Sequence, residues 1–200
     1  MLKRMRASDT GNLQTYLESR TEEIDSDIIV RVSAILQDVK TRRDDAVREY
    51  TQQFDGILLD SMRVEPSDIE AAAAKADPFF VESMKKAKAN IEYYHNAQKQ
   101  NGYLLQKELG IYLGQRVLPL DSVGIYVPGG RAQYPSSVLM NAIPARIAGV
   151  KRIVMITPPA KDGSLHPNIA AAAQIAGVDE IYKVGGAQGI AALAYGTQSI

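Results

Sequence analysis

The sequence holds no cysteine and only two histidines, His95 and His166, in 200 residues. The first absence excludes disulfides, zinc clusters built on thiolates and a cysteine nucleophile among these residues. The second excludes a site assembled from several imidazole ligands. Charge of one sign is also lacking: 23 Lys+Arg stand against 23 Asp+Glu, a formal net charge of +0 at pH 7. No general field therefore draws in nucleic acid or an anionic membrane. No apolar run approaches the roughly 18 to 20 residues that span a bilayer. The basic start Met1-Leu2-Lys3-Arg4-Met5-Arg6 leads into no apolar h-region. Glu18, Glu22, Glu23 and Asp25 come too early for an acidic-poor transit peptide. The expectation is a cytoplasmic protein with no nucleic-acid or membrane partner. What is there is ordinary globular material, 46% hydrophobic and 23% charged, enough for one compact domain or two small ones.

The pattern changes near residue 120. Before it, charged segments carry apolar residues at helical spacing: Ile28, Val32, Ile35, Val39, Val47, Tyr50 and Phe54. The polar run Thr41-Arg42-Arg43-Asp44-Asp45 predicts two helices meeting at a turn, the second opening on acidic residues that suit its N-terminus. Ser67 with Glu70 reads as a capping box for a short Ala-rich helix. Asp77-Pro78 reads as the start of another, with Phe79, Met84, Ala87, Ile91 and Tyr94 on one face. Between Tyr103 and Leu120, leucines and β-branched residues broken by Gly110 and Gly114 predict short antiparallel strands.

After residue 120 a simple unit repeats. Apolar runs over 123–127, 152–156 and 180–184 predict strands, each followed by a helical stretch. Ser136 or Ser137 is the expected cap of the first helix, with a kink at Pro144, and Gly177 stops the second. A repeat of ~30 residues is the length of a right-handed βαβ unit. Strands this apolar need helices on both faces, hence a parallel sheet. The expected fold is α/β, with residues 121–200 forming an incomplete Rossmann-like βαβαβα segment. Residues 1–120 form a mostly helical part of a composite domain. A three-stranded parallel sheet leaves an open edge, so either residues 1–120 supply strands or the chain continues past Ile200. The second is the preferred expectation.

Ligands of open parallel sheets sit beyond the carboxyl ends of the strands. Here those ends are Tyr126-Val127-Pro128-Gly129-Gly130-Arg131, Thr157-Pro158-Pro159 and Gly185-Gly186-Ala187-Gln188-Gly189. Paired glycines let a backbone approach a ligand and expose amides at a helix start; they serve equally in a tight βα turn. The dinucleotide fingerprint is not met, because Val184 stands where its first glycine would be, and no Walker A loop exists. Tyr126 could stack on or bond a planar ligand and Gln188 could bond an amide or hydroxyl; the plainer readings are a half-buried strand tyrosine and a surface glutamine. Arg131, Ser136 and Ser137 could meet an anion or solvate the turn. His95 reads as solvent-facing and His166 as a turn residue before Pro167. Glu22-Glu23 and Asp44-Asp45 are adjacent pairs on different helix faces, poor acid–base dyads.

The longer motifs carry more. Val123-Gly124-Ile125-Tyr126-Val127-Pro128-Gly129-Gly130, continuing Tyr134-Pro135-Ser136-Ser137-Val138-Leu139-Met140-Asn141, closely resembles the histidinol dehydrogenase family. So does the run from Val184-Gly185-Gly186-Ala187-Gln188-Gly189 to Ala194-Tyr195-Gly196-Thr197. Asp44-Asp45-Ala46-Val47-Arg48-Glu49-Tyr50-Thr51 and the segment from Asn90-Ile91 to His95 look similar too, so the likeness spans nearly the whole sequence. The resemblance implies a cytoplasmic, zinc-containing homodimer whose incomplete Rossmann-like domains are related to aldehyde dehydrogenases. It implies oxidation of L-histidinol, through the bound aldehyde, to L-histidine with two NAD+ reduced, the last steps of histidine biosynthesis. The family's NAD-contacting tyrosine and glutamine match Tyr126 and Gln188. Its zinc ligands, Glu-His acid–base pair and most substrate contacts belong to a C-terminal part this sequence lacks. No catalytic or metal-binding residue is therefore assigned here, and these 200 residues alone are expected to be inactive. Two alternatives stay open. A different relative of the aldehyde dehydrogenase fold would need a cysteine from elsewhere, and a non-catalytic nucleotide-binding or subunit-interaction module would need none.

Overall fold

A computed structural model describes residues 8, 10–18, 26–129 and 133–200. The basic start, Glu22, Glu23, Asp25, Gly130 and Arg131 lie outside the described residues. The chain opens with α1 (Thr10–Glu18), then α2 (Ser26–Arg42) and α3 (Asp44–Asp55), which meet at Arg43. Asp44 and Asp45 occupy the first turn of α3, as expected from the sequence, and Gly56 closes it in the left-handed conformation. The apolar stripe is buried over only part of its length. Val39 and Val47 are in the core, while Ile28 and Phe54 are exposed. Helical spacing does not say how far along a helix its neighbour extends.

Next come α4 (Pro66–Ala73) and α5 (Pro78–Ala97). The capping box expected of Ser67 and Glu70 does not form, because α4 starts two residues early, with Glu65 at the cap position and Pro66 in the first turn. Proline lacks the N–H that this position would leave unpaired, so it claims the start. In α5, Asp77 accepts a hydrogen bond from the Phe79 amide at 2.7 Å, as a cap should. Its packed stripe is Met84, Ala87 and Ile91, continued at four-residue steps by half-buried Phe80 and His95. Phe79 and Tyr94 fall off that stripe and are exposed; His95 is not fully solvent-facing.

Strands β1 (Tyr103–Glu108) and β2 (Ile111–Gln115) form the expected antiparallel hairpin, turning at Gly110. Every residue of both strands is exposed. The repeating unit then follows as β3 (Ser122–Tyr126), α6 (Pro135–Ala148), β4 (Arg152–Ile156), α7 (Pro167–Ala176), β5 (Glu180–Tyr182) and α8 (Gly186–Tyr195). Ser136 and Ser137 lie inside α6 rather than at its cap. Tyr134 holds that position and Pro135 takes the first turn, the same proline effect as in α4.

The three strands are parallel in the order β3-β4-β5. Alternation divides their side chains between two apolar layers. Ile125, Ile153, Met155 and Ile181 join the layer of α6 and α7, with α4 and α5 packed outside it. Val154, Ile156 and Tyr182 join the layer holding Val39, Val47, Ala191 and Ala192 of α2, α3 and α8. Both faces of the sheet are thus covered, as strands this apolar require. The outer edge of β5 is met by residues from the first half. Arg63 bridges Tyr182 in antiparallel fashion, the Val64 amide donates to the Ile181 carbonyl at 2.9 Å, and the Lys183 amide donates to the Met62 carbonyl at 2.7 Å. Among the described residues no strand pairs with the outer edge of β3.

Candidate cofactor site at the carboxyl ends of the strands

Because β3 and β4 run parallel in register, Tyr126 stands beside Ile156, one strand spacing away, about 4.8 Å. Ile156 faces the α8 layer, so Tyr126 does as well. The first turn of α8 lies over this spot, since a Cβ on Gly189 would come within 2.8 Å of Ile156 Cδ1. One turn of α8 beyond it, Leu193 presses on Gly124 of β3, where an added Cβ would sit 2.7 Å from Leu193 Cδ1. Tyr126 and Gln188 are therefore brought to the same face at the same end of the sheet. Tyr126 is 36% exposed.

Gln188 is the unexpected residue. It is 1% exposed rather than on the surface, and among the described residues its Oε1 has no hydrogen-bond partner. A first-turn glutamine reads as surface in sequence; it is buried because α8 lies flat on the sheet with its small residues inward.

The paired glycines have a packing reason. Pro158, at the end of β4, lies between the two glycine loops. A Cβ on Gly185 would come within 2.5 Å of Pro158 Cγ, and one on Gly129 within 3.4 Å of Pro158 Cδ. Gly186 adds a backbone demand at φ 61°. The three strand ends are thus packed into one rim.

On the other face of this rim a cavity of about 510 Å³ opens between Gln133, Thr157, Pro158, Lys161, His166 and Ile169. Neither Tyr126 nor Gln188 lines it. Thr157 is 2% exposed; its place at the end of β4 was the only signal for it in the sequence. His166 caps α7, its Nδ1 accepting from the Asn168 amide at 3.2 Å. That bond leaves Nε2 as the protonated nitrogen of the neutral ring.

An ionic cluster ties the first residues of β4 and β5. Arg152 Nε donates to Glu180 Oε1 at 2.6 Å and the Tyr182 hydroxyl donates to Glu180 Oε2 at 2.8 Å. The Arg152 guanidinium holds the Glu180 carboxyl below its ordinary value. Burial, reinforced by Glu180, pushes the Tyr182 phenol up. The cluster reads as a structural clamp between β4 and β5. Among the described residues no group of three His, Cys, Asp or Glu side chains could hold a metal ion.

Comparison with known proteins decides the family. The histidinol dehydrogenase family model matches residues 18–200. The chain belongs to the histidinol dehydrogenase family. Histidinol dehydrogenase of Listeria innocua serovar 6a is 54% identical over 195 residues, which are 96% of this chain and 45% of that protein. The Clostridium acetobutylicum histidinol dehydrogenase is 53% identical over 184 residues, 92% of this chain and 43% of that one. That of Methanothermobacter thermautotrophicus is 44% identical over all 200 residues, 47% of its length. The crystal structure of histidinol dehydrogenase from Elizabethkingia anophelis superposes with a TM-score of 0.83 at 36% identity, over 90% of this chain and 41% of that one. The chain thus spans less than half the length of the relatives it matches. The family resemblance expected from the motifs around Tyr126 and Gln188 holds, as does the α/β fold.

Proposed function

We propose that this chain supplies the cofactor side of a histidinol dehydrogenase that oxidises L-histidinol through L-histidinal to L-histidine, reducing two NAD+. The observation that carries the reading is the buried Oε1 of Gln188, without a partner among the described residues, on the same face and end of the sheet as Tyr126. A buried acceptor without a partner costs ~1–3 kcal/mol, and an oxygen kept so is explained by a partner that arrives with a ligand. A dinucleotide fits these residues. Gln188 Oε1 accepts an N–H or O–H from it, and Tyr126 offers a ring face and a phenol. The first amides of α8 have no partner within the helix, and they favour the negative phosphates. NAD+ supplies the hydride acceptor when bound.

Zinc is different. The described residues hold no metal-binding group, so they do not fit it and no step is routed through a metal here. In this reading zinc, the proton-transferring pair and most histidinol contacts lie in the remainder of the full-length relatives, and these 200 residues alone do not turn over. Residues 1–120 are then part of a composite domain and 121–200 an incomplete Rossmann-like unit. The working protein is a cytoplasmic homodimer.

Titrating NAD+ into the purified chain tests the site. Saturable binding, weakened about tenfold or more by Gln188→Leu, is the expected result; identical affinities would remove Gln188 from the site, and no binding would remove the site. NADH production by the chain with histidinol, NAD+ and zinc would overturn the division of labour.

A further inference from the structure

Helix α8 carries Gln188 at one end; its other end is held in an unusual way. Ten residues rise about 15 Å, so α8 runs from the rim to the far end of the sheet. There its last carbonyls meet the corner between α2 and α3. The Arg43 guanidinium donates to the carbonyls of Tyr195, at 3.2 Å, and Gly196. Asp44 is 5% exposed and accepts from the Ser199 hydroxyl at 2.5 Å and the Ser199 amide at 3.3 Å. The Asp44 amide donates to Gln198 Oε1 at 3.2 Å. Arg43 makes its contacts from φ 57° and ψ −128°, a conformation that side-chain-bearing residues rarely adopt. The corner is strained, and its polar groups converge on residues 195–199.

The body of α8 packs on α2, α3 and the sheet mostly through small residues. Of its inward residues Gly189, Ala191 and Ala192 are small, and Leu193 is seated on β3 at Gly124. Ridges this shallow resist sliding along the helix axis weakly, because axial position is set by side chains lodged in grooves. A short helix pinned at one end moves as a rod.

We propose that Arg43 and Asp44 are positioning residues: by clasping the far end of α8 they fix its axial position, and hence the depth at which Gln188 meets the cofactor. The proposal rests on the NAD+ reading of the rim. From that strained backbone the Arg43 guanidinium reaches the helix end.

The test measures NAD+ affinity and amide hydrogen exchange in the purified chain, with Asp44→Asn, Ser199→Ala and Arg43→Gly. Asp44→Asn is expected to weaken NAD+ binding about fivefold, and to add nothing in a Gln188→Leu background, since coupled residues are non-additive. Equal losses in both backgrounds would overturn the proposal. In the ligand-free chain, exchange should quicken at the amides of Gly189 and Ile190, more than a turn away along α8, as well as at residues 196–199. A change confined to 196–199 would reduce the clasp to a local latch and sink the proposal. This readout stands even if NAD+ does not bind, in which case the cofactor reading alone has failed. Ser199→Ala keeps the buried carboxylate and serves if Asp44→Asn does not fold. Arg43→Gly relieves the backbone while removing the guanidinium. A melting temperature that does not fall, with weaker NAD+ binding, separates positioning from stability.

Discussion

Gln188 answers to two demands that pull apart. Folding disfavours its amide oxygen, unpaired among the described residues, whereas cofactor binding, in the reading above, needs it. Gln188→Leu, close in volume and apolar, is therefore expected to leave the chain as stable or up to about 1 kcal/mol more stable, while NAD+ affinity falls; chemical denaturation beside a binding titration checks both. At the start of β5 Glu180 answers to stability alone. Its folded pKa is depressed by Arg152, so its contribution is complete above the unfolded value and fades as pH falls through the folded one. Arg152→Ala should cost about 0.5–1 kcal/mol at pH 7, a small figure because the guanidinium is half in water. Denaturation curves should converge with those of the native sequence as pH falls below the ordinary carboxylate range. A gap of constant size across pH would assign the loss to packing. Tyr126 and Gln188 were legible as strand-end and helix-start residues. The burial of Gln188 was not, since helical position says nothing about which face a neighbour covers.

The helices and strands reflect local chemistry most faithfully where a single residue forces the outcome. Asp77 before Pro78 starts α5 and Gly177 ends α7, both as the sequence indicates. Where serines competed with proline, at Ser67 and at Ser136 and Ser137, proline set the first turn. An absent N–H restricts the backbone more than a hydroxyl acceptor attracts it. Glycines at contacts are the other element-scale constraint. Gly124→Val would drive two further carbons into Leu193, and the expected outcome is a loss of about 1–3 kcal/mol in urea denaturation. Leu193→Ala in the same chain should recover part of it, because the nearest atoms to an added Cβ all belong to that side chain. Full additivity of the two changes would show that Gly124 acts through its backbone instead.

The two halves of the chain share both apolar layers. Val64 lies among the residues of α6 and α7, and Val39 and Val47 among those of α8. Met62, 1% exposed and carried on the segment that pairs with β5, belongs to the second layer. Met62→Ala is expected to cost about 2–4 kcal/mol in a single cooperative transition; two separate transitions would mean that the halves melt independently. The β1–β2 hairpin contrasts with this packing. Leu104, Leu105, Leu109 and Leu113 all face water, and a two-stranded hairpin has no core of its own. Leu105→Lys should therefore change stability by no more than about 0.5 kcal/mol. It should also lower concentration-dependent association in light scattering if that apolar face drives it.

From α2 onward the sequence by itself determined the element types, their order and the parallel character of the sheet, because periodicity, caps and ~30-residue repeats act over a few turns of chain; α1 carried no such signal. It also determined the absence of thiol chemistry from these residues. Only the tertiary structure decided which face of each helix was buried, that residues 62–64 cover the edge of β5, and that Arg43 and Asp44 grip the far end of α8 across some 150 positions. Those outcomes depend on close packing between segments remote in sequence, where one contact excludes another, and no local pattern encodes that choice.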